Sequence, residues 1–172
     1  MRTTVISVIL LFLIVGGVFT AAAANETGNN SSAVNKTVKG GGGVQPLSWA
    51  SSIEVEPSSI NLGTVYPDGI EKSYPNAVTA TVTYFLAWQD TLSVRADGDL
   101  VNTADSSLTI PLSSLKFSTP SLSKRSFMTS NQNIMTYSGF LNSQSVTMSL
   151  YITVPPYTDP GTYQTTLIYT AT

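Results

Sequence analysis

The sequence predicts an all-β domain, built as a sandwich of two antiparallel sheets and preceded by a flexible tail. Three observations point there. Apolar residues alternate with period two from Val44 onward, turn-forming clusters stand where that alternation stops, and no segment carries an apolar stripe of period 3.6.

The strands are read in chain order. Ile53 to Glu56 is a short first strand. Val78, Ala80, Val82, Tyr84, Leu86 and Trp88 fall on one face of a longer strand, with Thr79, Thr81 and Thr83 opposite. Leu92, Val94 and Ala96 repeat the pattern. Short strands are expected at Leu108 to Leu112, Ser126 to Met128 and Ile134 to Tyr137. Val146, Met148, Leu150, Ile152 and Val154 then line one face, and Tyr163, Thr165, Leu167, Tyr169 and Ala171 close the chain in the same way. Pro67-Asp68-Gly69, Asp97-Gly98 and Asp159-Pro160-Gly161 supply the turns. Seven to nine short strands at this spacing suit an Ig-like or jelly-roll sandwich spanning residues 44–172. Val82, Leu86, Leu150 and Leu167 are expected in its core.

The N-terminal segment has a different character. Arg2 precedes an apolar run from Val5 to Phe19, and Ala21 to Ala24 offer the small residues that a signal peptidase requires. Residues 1–24 therefore read as a secretory leader standing outside the fold, with Asn25 as the new N-terminus. The run is close to the lower length limit for a bilayer span, so an uncleaved anchor is the alternative. With the leader removed, no membrane association is expected.

Residues 25–43 form a tail holding every Asn-x-Ser/Thr sequon in the chain, at Asn25, Asn29, Asn30 and Asn35, and ending in four glycines. This composition reads as a glycan-bearing, flexible stalk. At ~3.3 Å per residue it reaches roughly 60 Å when extended.

Composition excludes several functions. The chain has no His and no Cys, which removes the commonest general base, thiolate chemistry, disulfides and most transition-metal sites. Enzymatic activity is not expected, and no cofactor is implied. Without Arg2, seven basic residues face ten acidic ones, a formal charge of about −3 with no basic patch, so nucleic acid is not an expected partner. Charged residues make up only 10% of the chain, so its hydroxyl-rich surface must supply solubility. Lack of disulfides in a secreted domain points to a prokaryotic surface protein, and the sequons to an archaeal one.

Two constellations are candidate binding sites. Asp97, Asp99, Asn102 and Asp105 are oxygen ligands near one turn, as calcium requires, but without the spacing of an EF-hand; a polar turn explains them equally. Trp49, Tyr66, Trp88, Tyr157 and Tyr163 are candidates for a sugar-stacking platform, although Trp88 and Tyr163 share faces with aliphatic residues and are expected in the core. Envelope carbohydrate is the partner this platform would take.

Residues 44–56 carry a different possibility. Leu47, Trp49, Ile53 and Val55 lie on one face directly after the glycine tether. Such a segment serves either as the domain's own first strand or as a strand donated to a neighbour.

Pro57-Ser58-Ser59-Ile60-Asn61-Leu62-Gly63-Thr64-Val65 resembles the opening of prokaryotic Ig-like surface domains, and Gly161 to Thr170 is similar to the closing strand of secreted sandwich subunits. The plan of leader, tether and cysteine-free sandwich resembles subunits of archaeal surface filaments and camelysin-type biofilm fibres. That resemblance implies a structural subunit at the cell surface, joined to copies of itself by strand donation, with no catalytic residues. A secreted carbohydrate- or envelope-binding module is the second expectation.

Overall fold

A computed structural model describes the backbone of residues 4–15 and 51 and the whole of residues 52–172. The strands in chain order are β1 (Thr4–Val15), β2 (Ser51–Glu56), β3 (Ser59–Val65), β4 (Lys72–Ala96), β5 (Leu100–Asn102), β6 (Thr109–Ile110), β7 (Leu115–Thr119), β8 (Leu122–Ser126), β9 (Gln132–Ile152) and β10 (Gly161–Ala171). A single 3₁₀ turn at Leu112–Ser114 is the one helical element among the described residues. The chain is all-β, as the sequence predicts.

The strands join into one hydrogen-bonded sheet that curls around the core. Its main path runs β3-β1-β10-β4-β9-β7-β8, with β2 added to β4 and the short β5–β6 pair added to β10. Two strands are far longer than the sequence reading expected: β4 has 25 residues and β9 has 21. They pair antiparallel from Lys72↔Ile152 to Val94↔Gln132. Because β9 holds one edge of β4 throughout, β2 and β10 share the other. β2 covers Thr79 to Tyr84, and β10 covers Leu92 to Ala96.

Alternation places the core. Val146, Met148, Leu150, Ile152 and Val154 are buried, as are Tyr163, Thr165, Leu167, Tyr169 and Ala171. Val78, Ala80, Val82 and Tyr84 join them from β4, and Phe117 and Phe127 pack ring to ring at 4.6 Å. On the other face of the β4–β9 ladder the hydroxyls pair across the strands. Thr79 meets Thr147 at 3.1 Å, Thr81 meets Ser145 at 2.8 Å, and Thr83 meets Ser143 at 3.0 Å. A charge-poor surface thus satisfies its polar groups by cross-strand pairs.

The alternation breaks in the middle of β4. Buried positions run Val78, Ala80, Val82, Tyr84, then Ala87, then Leu92, Val94 and Ala96. The phase slips by one residue and slips back. A bulge between Ala87 and Asp90 and a left-handed Gln89 (φ 62°) accompany the return. Trp88, expected in the core, is therefore 80% exposed, and Leu86 is only partly buried. A one-residue slip turns every following side chain to the other face. Met128, placed in an expected short strand, lies beyond β8 and is exposed.

Candidate assembly surfaces

Thr4–Val15, the leader stretch, has a place in the sheet that the sequence reading did not give it. As β1 it lies between two strands. It pairs antiparallel with β10, from Thr4↔Ala171 to Val15↔Gly161, and parallel with β3, from Leu10↔Ser59 to Val15↔Val65. The composition explains how one stretch reads both ways. Thr4, Val5, Ile6, Val8, Ile9, Ile14 and Val15 are β-branched, which suits a pleated strand as well as an apolar leader.

The strands flanking β1 turn apolar side chains into the core. Ile60, Leu62 and Val65 on β3 and Tyr163, Leu167 and Tyr169 on β10 are buried. Polar anchors fix both walls. Tyr74 donates to the Leu62 carbonyl at 2.7 Å, and Tyr163 donates to the Asp159 carbonyl at 2.9 Å. Tyr169 is the exception. Its hydroxyl is buried without a hydrogen-bond partner among the described residues, and burial pushes its pKa up. It stands on β10 opposite Ile6 on one side and Val94 on the other.

The second surface lies on the middle of the β4–β9 ribbon. Trp88, Phe140 (62% exposed) and Leu141 (69% exposed) project there, and Phe140 meets Phe85 edge to face at 4.6 Å. Leu86, Ala87, Trp88, Gln89, Ser138 and Phe140 line a hollow of about 590 Å³. The backbone is strained at the same place. Gln89 and Leu141 are left-handed at φ 62° and 43°, a conformation costing non-glycine residues roughly 1–2 kcal/mol each. Tyr84 buttresses the ribbon by donating to the Ser138 carbonyl at 2.8 Å, and it accepts from the Gln144 amide at 3.0 Å. Sequence periodicity missed this surface because the slip in phase has no compositional mark.

The residues singled out from sequence fall as follows. Ile53 and Val55 sit in β2, in register with Val82 and Ala80 of their own chain, and are buried there. Within that part of the segment the geometry is a domestic first strand. Leu47, Trp49 and the sequon residues Asn25, Asn29, Asn30 and Asn35 lie outside the described residues.

Three of the four candidate calcium ligands hold their own loops with their side chains. Asp99 accepts the Leu112 N–H at 2.8 Å, and Asn102 accepts those of Ala104 and Asp105 at 2.8 and 3.3 Å. Asn102 is buried and lies so close to Gly161 that a Cβ there would overlap its amide. The Ser107 hydroxyl and N–H beside Asp105 hold its carboxyl below the usual range. Asp97 lies at the turn after β4, where its N–H donates to the Thr166 carbonyl. Among the described residues, no three Asp, Glu, His or Cys side chains gather where a metal ion would fit.

Of the sugar-platform candidates, Tyr163 is buried in the core, whereas Tyr66, Trp88 and Tyr157 are exposed. No helix among the described residues is long and apolar enough to cross a membrane. No family model, no curated protein sequence and no solved structure matches this chain.

Proposed function

We propose that this protein is a non-enzymatic structural subunit of an extracellular filament, sheath or surface matrix, and that copies join by β-strand donation. One observation carries the reading. The strand between β3 and β10 is the stretch whose sequence is that of a removable leader. Once residues 1–24 are cleaved, a slot opens between two walls of buried apolar side chains. Open edges of this kind recruit another strand, because main-chain hydrogen bonds and alternate side-chain pockets are both waiting. A second copy supplies it from the tail ahead of β2, running parallel to β3 and antiparallel to β10. The sequons at Asn25, Asn29, Asn30 and Asn35 make that tail the glycan-bearing part of the assembly, and the glycine run lets it reach a neighbour.

The topology suggests a direct test. Because Thr4 stands opposite Ala171, a strand appended after Thr172 through a short turn would enter the slot in the direction β1 takes. A chain starting at Asn25 is expected to polymerise, seen as filaments by negative stain. The same chain with a second copy of residues 25–50 appended after Thr172 is expected to remain monomeric. Polymers from the self-complemented chain, or monomers from both, would overturn strand donation. Tyr66, Trp88 and Tyr157 favour the second reading, a module for envelope carbohydrate, and monomers of both chains that bind such carbohydrate would establish it.

A further inference from the structure

The bulge in β4 brings two unlike side chains to one place. Ala87 pairs with Gly139 and Asp90 with Tyr137, so Trp88 and Gln89 together oppose the single residue Ser138. This is the two-against-one count of a β-bulge, a device that re-aims side chains and recurs beside functional sites. Gln89 completes it at φ 62°, and Gly139, the partner of Ala87, sits at φ 126°, a region that favours glycine. Trp88, Gln89, Ser138 and Phe140 border the resulting hollow of about 590 Å³. That volume is ordinary for a small-molecule site, which spans ~300–1,000 Å³.

We infer that this hollow binds one ring of a neutral, equatorially substituted pyranose, with Trp88 as the stacking platform and Gln89 as the hydrogen-bonding group. The lining has the chemistry for it. Trp88 and Phe140 are exposed, and their rings offer negative π faces to the polarised C–H bonds of a sugar. Those bonds gather into a continuous apolar patch only where the hydroxyls are equatorial, which sets the stereochemistry. Gln89 is exposed beside Trp88, and its amide both donates and accepts, as the hydroxyls of a sugar do. The Ser138 carbonyl already accepts from Tyr84, so one wall of the hollow is fixed before a ligand arrives. No described residue that lines the hollow is charged, so nothing there repays the desolvation of a uronate or a sulfated sugar.

The inference deepens the carbohydrate reading given above and is independent of strand donation, since it uses no residue of β1, β3 or β10. It also separates Trp88 from Tyr66 and Tyr157, neither of which borders the hollow.

Cellotriose and chitotriose serve as neutral probes, with trigalacturonate as the acidic control. Titrated into the full chain and followed by calorimetry, at least one neutral trimer should bind, and the acidic one should bind more weakly or not at all. Trp88→Ala should weaken binding about tenfold or more, and Trp88→Phe should recover part of the loss. Gln89→Gly keeps the left-handed backbone while removing the amide, and should weaken binding about three- to tenfold. Both side chains are exposed, so far-UV circular dichroism should show each variant folded. Binding that survives Trp88→Ala but falls with Tyr66→Ala or Tyr157→Ala would overturn the site while leaving the carbohydrate reading intact. A parent chain that binds neither neutral trimer overturns the site. Trp88-dependent sedimentation with phosphatidylcholine vesicles, with no trimer bound, would assign the hollow to a lipid surface instead.

Discussion

The two halves of the β4–β9 ladder are made from the same strands and behave differently. From Val78 to Tyr84 the alternation is unbroken, one face is core, and Thr79, Thr81 and Thr83 pair with hydroxyls across the strand. From Phe85 to Asp90 the phase slips, two ordinary residues sit in the left-handed region, and Trp88, Phe140 and Leu141 face outward. Composition does not separate the halves; if anything the second is the more apolar. What separates them is whether side chains, backbone and neighbouring strand agree. Where they do, the sequence specifies a core. Where they do not, the strain and the exposed surface fall together, as they do at sites reserved for contact.

The largest difference between the halves should appear on truncating a large side chain. Met148, paired with Val78 in the regular half, is fully buried, and so is Leu150 just beyond it, so Leu150→Ala should cost ~2–5 kcal/mol in denaturant unfolding. Leu141→Ala, on the outer ribbon, should change stability by about 0.5 kcal/mol or less. Equal costs would mean that the ribbon is as well packed as the core and would remove the contrast.

This contrast also shows how much was legible beforehand. The rows Val146 to Val154 and Tyr163 to Ala171 were readable because nothing interrupts their period, and each of their expected inward positions is buried. Leu86 and Trp88 were misplaced because a bulge is a backbone event, and Gln89 carries no residue type that announces it. The place of Thr4–Val15 was hidden for another reason. Its pairing with β10 joins residues 146 to 167 positions apart in sequence, and the same β-branched composition satisfies a leader and a strand alike. The loop residues Asp99, Asn102 and Asp105 looked equally like ligands or turn-formers, and only their hydrogen bonds to backbone N–H groups distinguish the two.

A smaller effect tests the strain itself. Glycine adopts the left-handed region freely, whereas other residues give up roughly 1–2 kcal/mol there; glycine in turn adds ~0.5–1 kcal/mol of backbone entropy to the cost of folding. Gln89→Gly should therefore stabilise the fold by about 0.5 kcal/mol. Thr81→Gly, in the regular half, has no strain to relieve and loses its partner hydroxyl at Ser145, so it should destabilise by about 1 kcal/mol. Opposite signs for two glycine substitutions on one strand would confirm that the halves differ in backbone geometry. Like signs would place the difference elsewhere.

The smallest expected effect lies away from the ribbon, where charge rather than packing joins the strands. Glu71 precedes β4 and receives Lys124 from β8 at 2.5 Å and Lys116 from β7 at 3.2 Å, while Lys124 also rides 4.5 Å above the Tyr151 ring. The Lys124 hydrogen bond holds the Glu71 carboxyl below its ordinary value of 4.5, partial burial opposes this, and Lys116 adds to the lowering. A folded pKa below the unfolded one means that the contribution is complete above the unfolded value and disappears as pH falls through the folded one. The groups are partly exposed, so solvent and salt limit the network to about 1 kcal/mol or less. Glu71→Gln should therefore lower stability slightly at neutral pH, and the gap from the parent should close on acidification below pH 4.5. Added salt should narrow the same gap at neutral pH. A gap that stayed constant with both pH and salt would assign the role of Glu71 to packing of its stem and not to its charge.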